Sequence, residues 1–151
     1  MGVLSYLLAT GLYANDAINP TGYWKTIDDV TGKPKAIVEI LTEADSTLVG
    51  KVLKIFPQQG QPQIEVCRAC EGKKHNQRIV GLTVIEKLKP SPEKNNEWLN
   101  GEILDPKNGK VYHCNIRLTD NGQKLQVRGY LGLPLFGRTQ TWIKVKEPAI
   151  S

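Results

Sequence analysis

The 151-residue chain is poor in the groups that simple catalytic chemistry uses. It has two histidines and three cysteines, with no Gly-x-Ser-x-Gly elbow, no phosphate-cradling glycine loop and no helical stretch carrying paired metal ligands. Glu39, Glu86 and Glu102 fall in strand-like segments, and Glu39 and Glu102 alternate to the polar face, where a solvated carboxylate is the default. No catalytic set assembles, so neither an enzyme nor a cofactor is expected. Long apolar runs are lacking too. The longest, from Val3 to Ala14, is broken by Ser5 and Thr10 and is too short to cross a bilayer. It matches the hydrophobic region and small-residue cleavage site of a secretory signal, although no Lys or Arg precedes it. The expectation is a signal-peptide remnant over residues 1–14, cut after Ala14, with a short N-terminal helix or strand as the alternative. Residues 15–151 then make one domain in a secreted or periplasmic setting, and 40% hydrophobic content is enough for a core.

Concentrated charge is missing as well. Twenty Lys and Arg against fifteen Asp and Glu leave a net +5, spread from Lys25 to Lys146. Only Arg68, Lys73, Lys74 and Arg78 cluster, with Glu71 among them and no aromatic interleaved to stack on bases. That reads as a solvated loop, and no nucleic-acid partner is expected.

What remains is an all-β pattern. Helical periodicity is nearly absent, and short segments rich in Val, Ile, Leu and Thr are separated by turn signals at near-regular spacing. The expected strands cover 22–27, 35–42, 47–56, 78–88, 97–104, 110–119, 123–131 and 139–146. Asn108-Gly109 and Asn121-Gly122 are the strongest hairpin signals. Alternation turns Tyr112, Cys114, Ile116 and Leu118 inward on the sixth strand and Leu125 and Val127 on the seventh. By the same test Ala36, Val38 and Ile40 face inward on the second strand, and Leu99, Gly101 and Ile103 on the fifth. The third and fourth strands have no single apolar face. Eight up-and-down antiparallel strands expose edges unless the sheet closes, and an eight-stranded barrel is wide enough to be filled or to hold one small ligand. Glycines inside strands, Gly50, Gly81, Gly101 and Gly129, point to space or curvature.

In "CRAC", Cys67 and Cys70 stand at metal-ligand or redox spacing. Zinc needs two more ligands from His75, His113 and Cys114, and the last two are strand neighbours facing opposite ways. A thioredoxin-like or c-type haem role fits badly, since Glu71 rather than His follows the second cysteine. In an oxidising compartment the expected outcome is a Cys67–Cys70 disulfide with no metal bound, leaving Cys114 a buried free thiol.

Gly22-x-Trp24 on the first of eight meandering strands resembles the hallmark of the lipocalin and fatty-acid-binding barrels. The ordered stretches "GYWKT", "GKPKAIVEI", "CRAC", "GEILDPKNGKVY" and "RGYLGLPLFGRTQTW" resemble an uncharacterised family of exported bacterial proteins with a lipocalin-like barrel, similar to Helicobacter-type secreted lipocalins. The resemblance implies that Trp24 lies across the closed end with a basic residue packed over it. Strand counting assigns that residue as Lys144, because the end of the eighth strand returns beside the start of the first.

The same counting collects "CRAC", Arg138 and the apolar connection "GYLGLPLFG" at the other end, the expected mouth. A small apolar or amphipathic ligand, fatty-acid-like or lipid-like, would be lined by Val38, Ile103, Tyr112, Ile116 and Val127. Leu133 and Phe136 would form a lip, and Arg138 would meet a polar head group. The rival expectation is a filled barrel that acts as an envelope interaction protein through its 129–137 loop, for instance as a homodimer.

Overall fold

The computed structural model describes residues 2–3 and 18–148, so the expected cut after Ala14 lies outside the described residues. Eight strands follow one another: β1 (Gly22–Ile27), β2 (Pro34–Thr42), β3 (Leu48–Ile55), β4 (Thr83–Pro90), β5 (Glu97–Leu104), β6 (Val111–Thr119), β7 (Lys124–Tyr130) and β8 (Gly137–Val145). Each pairs antiparallel with the next, and β8 pairs back to β1, so the sheet is a closed barrel in strict chain order. Closure removes the exposed edges that an eight-stranded meander would otherwise carry.

Seven of the eight strands lie within two residues of the expected bounds at both ends, and the fourth is the exception. The stretch 78–82 is loop rather than strand. Gly81 turns there at φ +96°, the Gly81 amide donates to Val52 O at 2.7 Å, and the Leu82 amide donates to Ile79 O at 3.0 Å. The ladder to β3 is correspondingly short, with register shifts on either side of Gly50.

Bulges explain why period-two reading fails on β5 and gives no answer on β4. Between Trp98 and Gly101, β5 carries one residue more than β6 opposite, and Asn100 adopts a left-handed φ of 60° with its amide on Asn115 Oδ1 at 3.1 Å. Trp98 is therefore buried where Leu99 was expected, and Leu99 is only half-buried. On β4, Lys87 takes φ 64°, so Ile85 and Leu88, three residues apart, are both fully buried. Gly101 accommodates this: a Cβ there would lie 2.5 Å from Leu88 Cγ. Its missing side chain admits Leu88 and leaves no void, contrary to the reading of strand glycines as space. Gly50 does the same for Ile85, whose Cβ would sit 3.0 Å away.

The half of the barrel nearest the β2–β3, β4–β5 and β6–β7 turns is thus solid. Trp24, Ile40, Leu88, Trp98, Ile116, Leu118 and Leu125 pack there, with Cys114 and Ile85 at mid-height. Each fully buried aliphatic side chain in that layer contributes roughly 1.5–3 kcal/mol.

Candidate functional site

The closed end is built around Trp24. Gly22 has φ +120°, which a side-chain-bearing residue rarely adopts, and this lets the chain enter β1 from beneath the barrel. Trp24 Nε1 consequently donates to Pro20 O at 2.8 Å, and both residues are fully buried. Lys144 stands opposite Trp24 across the β1–β8 seam with Nζ 5.5 Å from the ring centroid. That geometry is a cation–π contact, worth about 0.5–1 kcal/mol where the cation is exposed.

Above the packed half lies a cavity of about 510 Å³ that opens at the opposite end. Its walls are apolar: Val38, Val52, Val84, Ile103, Val127 and Trp142 line it, with Gly129 exposing backbone. Trp142 is held by its Nε1 donating to Gln140 Oε1 at 3.0 Å. The rim comes from four connections. Asp28 and Thr31 follow β1, Phe56, Gln58, Pro62 and Ile64 follow β3, Asp105 to Lys107 follow β5, and Leu131 and Phe136 follow β7.

Of the residues expected from sequence, Val38, Ile103, Tyr112, Val127, Phe136 and Arg138 line the cavity. Ile116 and Leu133 do not. Ile116 pairs with Trp98, four residues deeper along β6 than Tyr112, and belongs to the packed half. Leu133 is exposed ahead of the helical turn Pro134–Phe136. Sequence reading also missed Val52, Val84, Lys35, Gln140 and Trp142. For Trp142 a signal existed, since alternation on β8 puts Gln140 and Trp142 on one face, but the polar Gln140 disguises it.

Arg138 does not present a free charge. Its guanidinium holds Asp29 in a two-pronged ion pair, with Nε to Oδ2 at 3.0 Å and Nη2 to Oδ1 and Oδ2 at 2.8 and 2.7 Å. Hydrogen bonding to Asp29 raises its already high pKa. Arg128, on the outer face of β7, donates to Pro134 O at 2.9 and 2.6 Å, to Leu135 O at 3.3 Å and to Thr139 Oγ1 at 2.8 Å. It pins the β7–β8 turn and keeps Leu131, Leu133, Leu135 and Phe136 in solvent, at 56, 65, 79 and 74% exposure. The apolar run does not fold back into the core.

Cys67 and Cys70 form a disulfide. Both are buried, Cys67 Sγ lies 3.4 Å from Pro106 O, and His75 Nδ1 lies 3.0 Å from Cys70 O. The bridged loop packs closely on the β5–β6 turn, where a side chain at Gly109 would meet the Ala69 carbonyl. Cys114 is free and fully buried, and burial pushes its thiol pKa up to about 12. At neutral pH it therefore stays a neutral thiol, and Cys67 and Cys70 are already paired with each other.

Residues 22–144 match the model of a family described as "Uncharacterized protein conserved in bacteria (DUF2147)", and the chain belongs to that family. Among solved structures, the fold is similar to that of a protein from the human pathogen Helicobacter pylori described as belonging to the lipocalin family. The TM-score is 0.69 at 18% identity, covering 85% of this chain and 84% of that one. No curated protein sequence matches the chain significantly.

Proposed function

Taking a lipocalin-like barrel of this bacterial family as the premise, we propose that the protein is a non-enzymatic carrier of a small apolar or amphipathic molecule. The observation that carries this reading is the cavity of about 510 Å³ in a barrel whose other half is packed solid. Apolar walls, one opening and a few polar rim groups are the usual form of a small-molecule site. Ten methylenes buried there release about 8 kcal/mol, and association costs of at least about 4 kcal/mol leave roughly millimolar affinity, so micromolar binding takes a chain of about fifteen carbons or added hydrogen bonds at the rim. Val38, Ile103, Tyr112 and Val127 would hold the chain, Phe136 and Leu131 would flank the entrance, and Arg138 would belong to the polar rim. The disulfide supports a secreted or periplasmic location, since such bridges persist where the surroundings are oxidising.

Native mass spectrometry of the purified protein, with solvent extraction, should show a co-purifying apolar molecule or one taken up from a lipid panel. Val127→Phe should abolish uptake while near-ultraviolet dichroism stays native. A folded protein that takes up nothing would end the carrier reading.

One observation favours a second reading. Four large apolar side chains held out on one turn form a patch of the kind that partners cover. An envelope interaction protein, or a homodimer closing mouth to mouth, would use that turn. Gel filtration of a Leu135→Ser/Phe136→Ser variant against the parent distinguishes it.

A further inference from the structure

The charges at the cavity mouth are matched among themselves, and from this we infer that the cargo carries no net charge: a neutral amphiphile whose alcohol or ester head meets the rim by hydrogen bonds. The inference rests on the carrier reading and narrows it. Three cations line the cavity, Lys35, Lys107 and Arg138. Arg138 and Lys35 are each paired with a carboxylate, and Lys107, whose ammonium makes no ion pair among the described residues, is balanced in number by Asp105. Arg138 grips Asp29 through both oxygens. Lys35 Nζ is 3.7 Å from Asp28 Oδ2, while Asp28 Oδ1 accepts the Val30 and Thr31 amides at 2.9 and 2.7 Å. These bonds, the Thr31 amide first among them, hold the Asp28 carboxyl below its usual range, so it remains an anion. Lys107 shares its turn with Asp105, whose Oδ1 accepts the Lys107 amide at 2.9 Å. Apart from Lys35 and Arg138 at the strand ends, no strand residue in the lining is charged.

A carboxylate entering this mouth must shed water and find a cation to replace it. Its one planar, two-pronged partner is Arg138, and engaging it brings the carboxylate beside Asp29, where two anions face one guanidinium. The Arg138–Asp29 pair is exposed and individually modest. What decides is that, among the described residues, Asp28, Asp29 and Asp105 equal Lys35, Lys107 and Arg138 in number, so the rim offers no net positive charge to hold the incoming anion. An alcohol or ester exchanges hydrogen bonds with water for hydrogen bonds with the rim and meets no such obstacle, while its chain gains the same burial.

Dodecan-1-ol and dodecanoate share a chain and differ in the head. Each is titrated against the full-length protein at about pH 8, where the carboxyl is ionised, using displacement of the neutral fluorophore N-phenyl-1-naphthylamine. Dodecan-1-ol should bind at least about tenfold more tightly, the equivalent of about 1.4 kcal/mol. Asp29→Asn leaves Arg138 without its anion and should raise dodecanoate affinity by about tenfold, with dodecan-1-ol unchanged. Adding Arg138→Gln to that variant should return dodecanoate to its parental level. Equal or tighter dodecanoate binding by the parent protein, or an Asp29→Asn variant with no gain for dodecanoate, overturns the neutral-cargo inference and leaves the carrier reading standing. A folded protein that binds neither the fluorophore nor dodecan-1-ol overturns both.

Discussion

A single methyl group placed at two glycines should have opposite consequences, because one glycine belongs to the packed half of the barrel and the other to the hollow half. In Gly101→Ala the new Cβ falls 2.5 and 2.6 Å from Leu88 Cγ and Cδ2 and 3.0 Å from Glu86 O. Leu88 is fully buried and the carbonyl is backbone, so neither yields freely. Overpacking of this kind costs about 1–3 kcal/mol. In Gly129→Ala the nearest atoms are Ile103 Cγ2 at 3.6 Å, Tyr112 Cβ at 3.7 Å and His113 O at 3.9 Å, which are ordinary contacts, and the residue lines the cavity. Its φ lies outside the left-handed region, so the methyl mainly restricts the unfolded chain and stabilises by about 0.4–1 kcal/mol. The two variants should therefore differ by about 1.4–4 kcal/mol in urea unfolding followed by tryptophan fluorescence, with m-values unchanged. Leu88→Ala alone should cost about 2–5 kcal/mol. Combined with Gly101→Ala it should cost less than the sum, because the new methyl occupies part of the space that Leu88 vacates. If Gly101→Ala is no more destabilising than Gly129→Ala, the division into solid and hollow halves is wrong, and the cavity loses its meaning as a site.

At the closed end, Lys144→Met should lower stability by about 0.5–1 kcal/mol through loss of the contact over Trp24, read as a fall of about 1–4 °C in Tm. Trp24→Phe should cost more, at least about 2 kcal/mol, because it also leaves Pro20 O without its donor. Ellman's reagent should find no reactive thiol in the folded protein, one after denaturation and three after denaturation with reduction. Because burial raises the Cys114 pKa, its neutral form persists in the folded state while the unfolded thiol ionises above about pH 8.5. Stability is then undiminished below that pH and falls by up to about 1.4 kcal/mol per pH unit toward the folded value near 12, a slope that Cys114→Ala should remove. Expressed behind an intact signal in a bacterium, the mature protein should begin at Asn15, which intact-mass measurement checks directly.

The strand order and the two ends of the barrel were legible because they depend on local signals and counting. Asn-Gly turns mark the hairpins, and β6 alternates cleanly, so Cys114, Ile116 and Leu118 point inward and His113 and Arg117 outward. Where bulges interrupt the pleat, alternation misleads. Leu99 was expected inside because nothing in "EWLNGEIL" announces that Asn100 turns left-handed, and the inward faces of β3 and β4 were hidden by the register shifts around Gly50 and by Lys87. The depth of a residue along the barrel is equally invisible to periodicity. Tyr112 and Ile116 share a face of β6, yet one lines a cavity and the other lies in the packed layer, a distinction set by how many large side chains seven other strands deliver at each level.

The electrostatics of the mouth lie furthest beyond sequence reading. Arg138 at the start of β8 reads as a lone cation poised for an anionic head group, and its partner Asp29 is 109 residues away, on the connection that closure of the barrel brings alongside. Closure therefore does two things with one seam. At its lower end it sets Lys144 over Trp24 and completes the plug; at its upper end it brings Asp29 to Arg138 and cancels the charge that would have selected an anion. A barrel of the same strands left open between β1 and β8 would have neither a finished floor nor a neutral mouth. The β1–β8 ladder, with its three paired positions from Tyr23 to Lys25, thus governs both the stability of the closed end and the chemistry admitted at the open one.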